Sequence, residues 1–394
     1  MRVLIFNTLY TPYKIGGAEI SVQDLAENLL DNGIKVGVVT LGENKEKTMV
    51  NGIVVWRLKL QNVFWPFNEE PSSTLTKLKW HWEDVYNKRY QEDVNKIFLE
   101  FKPHIVHTNN LAGFSVAIWD IAHGRNIKVV HTLRDYYLQC PRTTRFKGRN
   151  LCTKQCLECN LLSIKKKKAS QKVHGLIGIS KYILNDHISK GYFLSSKKQV
   201  IYNGFMIPRR KTGNTQFEEK DKVNFGFIGQ INQSKGLELL VESFSALKSN
   251  RNWVLHVAGK INDNYKKELS SKLLKGKVVF HGFVKPKDFF PQIDVLVVPS
   301  IWEEPFGRVI LEGLINEKPI LGSNRGGIPE LLGAENKSFM FQPNREELTQ
   351  ILKKVIVSPK TLNEFSFDKI DLKQFSIETS VGKYIDLFTR ALNG

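Results

Sequence analysis

The sequence predicts an α/β protein of two Rossmann-like, doubly wound domains. Three observations carry that expectation. Short apolar runs alternate with amphipathic segments along the whole chain, the pattern of βαβ units on parallel sheets. The pattern stops in a polar stretch at 208–222, which opens Pro208-Arg209-Arg210-Lys211, and then restarts with a new strand. The length, 394 residues, is enough for two ordinary cores.

Taken in order, the first half opens with Val3-Leu4-Ile5-Phe6, a short apolar run bounded by the polar Asn7, and so a first strand at 2–7. Further strands are expected at 35–40, 53–58, 104–107, 128–131, 176–179 and 199–201. Between them, amphipathic stretches predict helices at 17–32, 75–101, 112–124, 161–173 and 181–189. The second half gives strands at 223–228, 253–257, 277–281, 294–299 and 319–322, and helices at 236–248 and 307–316. An amphipathic helix at 376–392 closes the pattern. The expected domains are therefore 1–207, with a cysteine-rich insertion at 133–160, a linker at 208–222, a second domain at 223–375, and the final helix in 376–394.

Apolar residues make up 41% and charged residues 25% of the chain, an ordinary globular balance. The first apolar run is too short for a signal peptide, and no stretch approaches the roughly 20 apolar residues of a membrane span. A cytoplasmic protein is expected. The net charge of +19 is large and unevenly spread. Between Arg142 and Lys172 lie Arg145, Lys147, Arg149, Lys154 and the run Lys165 to Lys168, against the single acid Glu158. That stretch reads either as a solvated basic face or as an attraction to anionic lipid headgroups, where each basic side chain contributes up to about 1 kcal/mol. No nucleic-acid motif accompanies the charge, so nucleic acid is not an expected partner.

Strands buried on both faces leave the chemistry to the loops at their C-terminal ends. The first such loop is Tyr13-Lys14-Ile15-Gly16-Gly17-Ala18-Glu19. Paired glycines let a backbone approach a ligand and lead into a helix N-terminus, but the spacing is not that of a dinucleotide site. The first strand of the second half ends Gly229-Gln230-Ile231-Asn232-Gln233-Ser234-Lys235-Gly236. A lysine beside free backbone N–H groups suits a diphosphate, although this is not a Walker loop. The most telling segment runs from Pro299 to Glu312. There Glu304 precedes a helix starting at Gly307, and Glu312 follows about two helical turns later. One carboxylate can accept hydrogen bonds from sugar hydroxyls, the other from a ribose, and the first-turn N–H groups between them face phosphates. Ser323 to Glu330 forms another glycine-rich loop, and Phe280-His281-Gly282-Phe283 is a strand end whose backbone can read a base edge.

Together these loops resemble the family-four retaining glycosyltransferases, which have the GT-B architecture of two facing Rossmann-like domains. The matching elements are Gly16-Gly17-Ala18-Glu19, Ile201-Tyr202-Asn203-Gly204, Lys235-Gly236, the Glu304 to Glu312 pair, and Gly326-Gly327-Ile328-Pro329-Glu330. They stand in the family's order over nearly the whole chain. The resemblance implies a nucleotide-sugar donor held by the second domain and a saccharide or lipid-linked acceptor on the side of the first. It implies transfer with retention and no catalytic metal, in the assembly of cell-surface polysaccharide or glycolipid. Lys235 would grip the diphosphate, Glu304 the sugar and Glu312 the ribose. Backbone from Phe306 and Gly307 through Val309 and Ile310 would complete the phosphate site, with Gly229, Gln230, Gly282 and Phe283 around the donor. Gly16 and Gly17 would border the cleft, and the last helix would return to the first domain. Electrostatic neutralisation of the leaving diphosphate would supply the catalysis.

Two departures stand out. The family's arginine after Gly229 is Gln230 here, which removes a bidentate cation; Arg308 could replace it, or Gln230 could donate as a neutral group. The family's histidine before an aspartate is Arg134, in Leu133-Arg134-Asp135-Tyr136-Tyr137, so Arg134 is expected where a histidine would touch the sugar. All four cysteines, Cys140, Cys152, Cys156 and Cys159, fall in one segment. They read as a structural zinc site or as free thiols, and a cytoplasmic chain disfavours disulfides. The competing functional readings are another enzyme on the same fold, such as a nucleotide-sugar epimerase or a phosphorylase, and a non-catalytic basic binding protein. The basic segment leads to the expectation of a peripheral enzyme at the inner face of the cell membrane.

Overall fold

The computed structural model describes residues 1–13, 16–65, 73–148, 150–208, 222–247, 252–261, 263–271 and 277–393. All but the ends of the expected linker lie outside the described residues. Two compact units form: Met1–Arg145, Cys152–Met206 and Lys373–Gly394 make one, and Phe146–Leu151 with Ile207–Leu372 the other.

The chain begins β1 (Arg2–Phe6), α1 (Gly17–Asp31), β2 (Lys35–Gly42), β3 (Glu46–Val50) and β4 (Ile53–Lys59). It continues α2 (Thr74–Val85), α3 (Gln91–Phe101), β5 (Ile105–Thr108), α4 (Ala117–His123) and β6 (Lys128–Leu133). A small hairpin, β7 (Phe146–Lys147) and β8 (Asn150–Leu151), precedes α5 (Leu157–Ser170), β9 (Gly175–Gly178), α6 (Lys181–Ser189) and β10 (Lys197–Val200). Then come β11 (Lys222–Ile228), α7 (Leu237–Ser245), β12 (Asn252–Ala258), α8 (Asp263–Ser271), β13 (Val278–Gly282) and α9 (Pro286–Phe289). The chain ends β14 (Val295–Val298), α10 (Arg308–Ile315), β15 (Ile320–Ser323), α11 (Ile328–Leu332), β16 (Met340–Phe341), α12 (Arg345–Val357) and α13 (Ile377–Leu392).

Among the described residues the first sheet has eight strands in the order β10-β9-β6-β5-β1-β2-β4-β3. All pair in parallel except β3, which runs antiparallel to β4 at the edge. The second sheet is fully parallel, in the order β13-β12-β11-β14-β15-β16. The α/β class with two parallel sheets is the one expected. Apolar runs make these strands because both faces are covered: Val3, Ile5, Ile105, Val130 and Ile177 are buried in one core with Val22, Leu25 and Leu29 of α1. Tyr384, Leu387 and Phe388 of α13 enter the same core.

The structure departs from the expected elements in instructive places. The single helix expected at 75–101 is two, because Asn87 is buried between them and bonded outward. Its N–H donates to Ser115 Oγ at 2.7 Å and its side-chain amide to the Gln61 carbonyl at 2.8 Å. The helix expected at 112–124 begins only at Ala117, since Gly113 and Ser115 adopt φ of +89° and +66°. The edge strand β3, Glu-Lys-Thr-Met-Val, is too exposed to show an apolar run. Helices α8, α9, α11 and α12 are absent from the expected set, although Leu348, Leu352, Val355 and Ile356 of α12 are buried at helical spacing.

Candidate active site

In a doubly wound sheet a ligand crevice opens beyond the C-terminal ends of the strands where the order reverses. In the second sheet the reversal lies between β11 and β14, and the loops that follow these strands carry Lys235 and Glu304. Ile301 and Trp302 donate backbone N–H groups to the Ser234 carbonyl at 2.8 and 3.3 Å, stitching the two loops together. Gly236 has φ +76°, and a Cβ there would lie 1.8 Å from the Pro299 carbonyl oxygen, so only glycine lets the loops pass.

The result is a partly buried ionic contact. Lys235 Nζ donates to both carboxylate oxygens of Glu304, at 2.9 and 2.8 Å, with its ammonium 5.1 Å from the Trp302 ring centre. Glu304 is buried, and its Oε2 also accepts from Trp302 Nε1 at 2.9 Å and from Ser300 Oγ at 3.2 Å. These donors fix one carboxylate rotamer and leave the lysine as its charge partner.

The loop after β15 completes the wall. Glu303, also buried, accepts the Gly326 N–H at 2.6 Å and faces Arg325 Nη1 at 3.3 Å. The Gly327 N–H donates to the Glu304 carbonyl at 2.7 Å. Gly326 has φ +55°, and a Cβ would stand 2.1 Å from that carbonyl oxygen. Sequence reasoning missed Ser300, Trp302, Glu303 and Arg325 as parts of this site. Their signal was only nearness to Glu304 and to Gly326.

Gly307, at φ +94°, caps α10, whose first turn presents Arg308 and Val309. Arg308 Nε reaches Glu312 Oε1 at 3.4 Å, one turn along the same helix. Burial raises the Glu312 carboxyl above its ordinary range, and Arg308 opposes the rise. Phe306 and Ile310 bury their side chains, and the Ile310 N–H already donates to the Gly307 carbonyl at 2.9 Å. The Ile310 N–H, one of the expected phosphate-facing groups, is thus engaged at the start of the helix. Gly229 and Gln230 are exposed at the end of β11, and Phe283 is 78% exposed just past Gly282, which has φ +68°.

In the first sheet the reversal lies between β1 and β5. Gly16 caps α1 with an extended backbone, and its N–H donates to Glu19 Oε2 at 2.8 Å. Gly17 is the first residue of the helix. Arg134, just past β6, is buried, donating to Asn109 Oδ1 at 2.8 Å and Asn203 Oδ1 at 2.7 Å. Asp135 beside it is pushed up to about 6, first by burial and further by Glu19, against the pull of Lys166 and Arg134. Arg134 and Asn203, from two separate motifs of the sequence, are thus direct partners.

One expectation changes. The lysine run is not a uniform surface: Lys166 is buried, donates to the Tyr137 carbonyl at 3.2 Å and sits 3.4 Å from the Tyr137 ring centre. Burial lowers Lys166 to about 8, opposed by Asp84 and Asp135. The four cysteines differ in exposure. Cys140 is buried and Cys156 exposed, and none of the four is in a disulfide. Cys159 is hydrogen-bonded with Cys140 and Cys156, and burial with these neighbours raises its thiol pKa. Among the described residues no group of three or more His, Cys, Asp or Glu side chains is arranged to hold a metal ion.

Comparison with known proteins fits this geometry. Residues 15–207 match the family model Glycosyltransferase Family 4, and residues 209–367 match Glycosyl transferases group 1. An uncharacterised 42.6 kDa protein of the cps region of Klebsiella pneumoniae is 35% identical over 333 residues, 84% of this chain and 87% of that protein. Sucrose-phosphate synthase of Thermosynechococcus elongatus superposes with a TM-score of 0.76 at 16% identity, covering 99% of this chain and 98% of its own. Anabaena HepE in complex with UDP-glucose gives a TM-score of 0.70 at 19% identity over 99% of this chain and 100% of its own. By fold the molecule is of the GT-B glycosyltransferase class. The chain belongs to the family-four glycosyltransferases.

Proposed function

We propose that this glycosyltransferase moves a sugar from a nucleoside-diphosphate donor to a saccharide or lipid-linked acceptor, with retention and without a catalytic metal. The observation that carries the reading is the Lys235–Glu304 contact at the β11/β14 reversal, with Glu312 farther along the helix that follows Glu304. Donor entry exchanges partners: the diphosphate takes Lys235, and the sugar hydroxyls take the freed Glu304 oxygens. Glu312 receives the ribose hydroxyls. Charge building on the leaving diphosphate meets Lys235, Arg308 and the first-turn N–H groups of α10, which stand in place before the reaction. Arg308 in this reading supplies cationic charge absent at Gln230. Arg134, held by two amides, serves the acceptor side in this reading.

HepE binding UDP-glucose and the cps-region relative support a nucleotide-sugar donor and a place in polysaccharide assembly. The net charge of +19 supports work at an anionic membrane surface. The test is a panel of nucleotide sugars with oligosaccharide and lipid-diphosphate acceptors. Nucleoside diphosphate should be released only when donor and acceptor are both present, with the donor's anomeric configuration kept and with turnover unchanged by chelator. Epimerised donor with no acceptor requirement, or an inverted product, would reject the reading.

A further inference from the structure

Six of the large apolar side chains most open to solvent lie on two helices of the first unit. Leu75, Leu78 and Trp82 stand on α2, with exposures of 79%, 48% and 70%. Leu157, Leu161 and Ile164 stand on α5, with 83%, 64% and 57%. Spacings of three and four residues put each trio on one helical face. The two helices pack against each other. The His81 ring of α2 feels Lys166 and Glu158 of α5, and Lys165 Nζ stands 5.9 Å from the Tyr86 ring at the end of α2. Buried Lys166, beside Asp84 of α2, anchors the pair from beneath. What the helices turn outward is therefore set by what holds them inward.

Lysines rim these faces. Lys77, Lys79, Lys154, Lys165, Lys167 and Lys168 are all exposed. The acids of the two helices are Glu83, which is paired with Arg89, the buried Asp84, and Glu158. Leucine and tryptophan within a lysine rim are what an interfacial surface on anionic lipid requires. A second copy of the chain would bring the same basic rim against itself, which disfavours it as the occupant. No described helix is long and apolar enough to cross a membrane, so an insertion here lies in the interfacial plane.

We propose that α2 and α5 form a membrane-docking surface whose Leu75, Leu78, Trp82, Leu157, Leu161 and Ile164 enter the headgroup–acyl boundary of an anionic bilayer, with the lysines on its phosphates. This rests on the reading of an enzyme working at an anionic surface, and adds insertion to attraction.

The test is vesicle flotation of the full chain with phosphatidylcholine alone and with added phosphatidylglycerol, at low salt and at about 1 M salt, where charge is screened within about 3 Å. One variant carries Trp82→Ser and Leu161→Ser, the other Lys165→Gln and Lys168→Gln with Lys166 kept. The wild type should bind anionic vesicles and keep part of that binding at high salt. The serine variant should bind about tenfold more weakly or less and lose the salt-resistant part. The glutamine variant should lose the preference for phosphatidylglycerol. Transfer to a water-dissolved acceptor should be unchanged in both. Serine-variant binding equal to wild type overturns insertion while leaving electrostatic attraction in place. No wild-type binding to either vesicle overturns both. A wild-type dimer that Trp82→Ser converts to monomer assigns the surface to a second copy and overturns the proposal.

Discussion

Glu304 and Lys235 neutralise one another, so their roles separate on mutation. Glu304→Gln removes the charge that holds Lys235 at 2.8 Å, while keeping a side chain that can still accept from Trp302 Nε1. The freed lysine should hold a nucleoside diphosphate at least as tightly as in the wild type. Transfer should nevertheless fall about 100- to 1,000-fold, the usual loss when one charge-assisted contact is missing from a transition state. Diphosphate affinity from calorimetry and turnover from product release check the two halves separately. A fall in both together would mean that Glu304 serves to build the site and does not act on the sugar.

At the scale of elements, the cysteine-rich segment is held to α6 by a single acid. Asp186 accepts from Gln139 at 2.7 Å, Arg145 at 2.7 Å and Lys190 at 2.5 Å. Burial alone would raise this carboxyl, but Lys190 and Arg145 outweigh it and bring it down to about 2. A carboxyl lowered in the folded state contributes stability above its unfolded value, about 3.9, and loses it as pH falls through about 2. After discounting for partial exposure, Asp186 should be worth about 1–2 kcal/mol at neutral pH. Thermal melts between pH 5 and 2 should show Asp186→Asn losing less stability over that window than the wild type; equal slopes would remove Asp186 from the account. This segment also shows where sequence reading stops. The strand–loop–helix frame of the donor loops was readable because Val295 to Val298 and Lys235-Gly236 are local signals. The burial of Lys166 was not, because Asp84, Asp135 and Tyr137 reach it from distant parts of the chain. The same holds for Glu303, whose partner Gly326 lies 23 residues away, and for Asn87, whose outward bonds end a helix that periodicity alone continues.

At the scale of the molecule, both sheets place their informative loops at the reversal of strand order, and the two reversals carry different chemistry. The first gathers Arg134, Asn109, Asn203 and the Glu19-capped Gly16. The second gathers Lys235, Glu304, Glu303 and the α10 N-terminus. The second sets Lys235 against Glu304 beside the start of α10, with Glu312 farther along that helix, and the donor is assigned there. The direct measurement is calorimetric titration of nucleotide sugars into the wild type, Lys235→Ala and Arg134→Gln. At least one nucleotide sugar should bind the wild type, Lys235→Ala should weaken it about tenfold or more, as loss of a contact worth about 1.5–3 kcal/mol requires, and Arg134→Gln should leave it unchanged. Undiminished binding by Lys235→Ala, with binding lost in Arg134→Gln, would place the donor in the first unit and contradict the account.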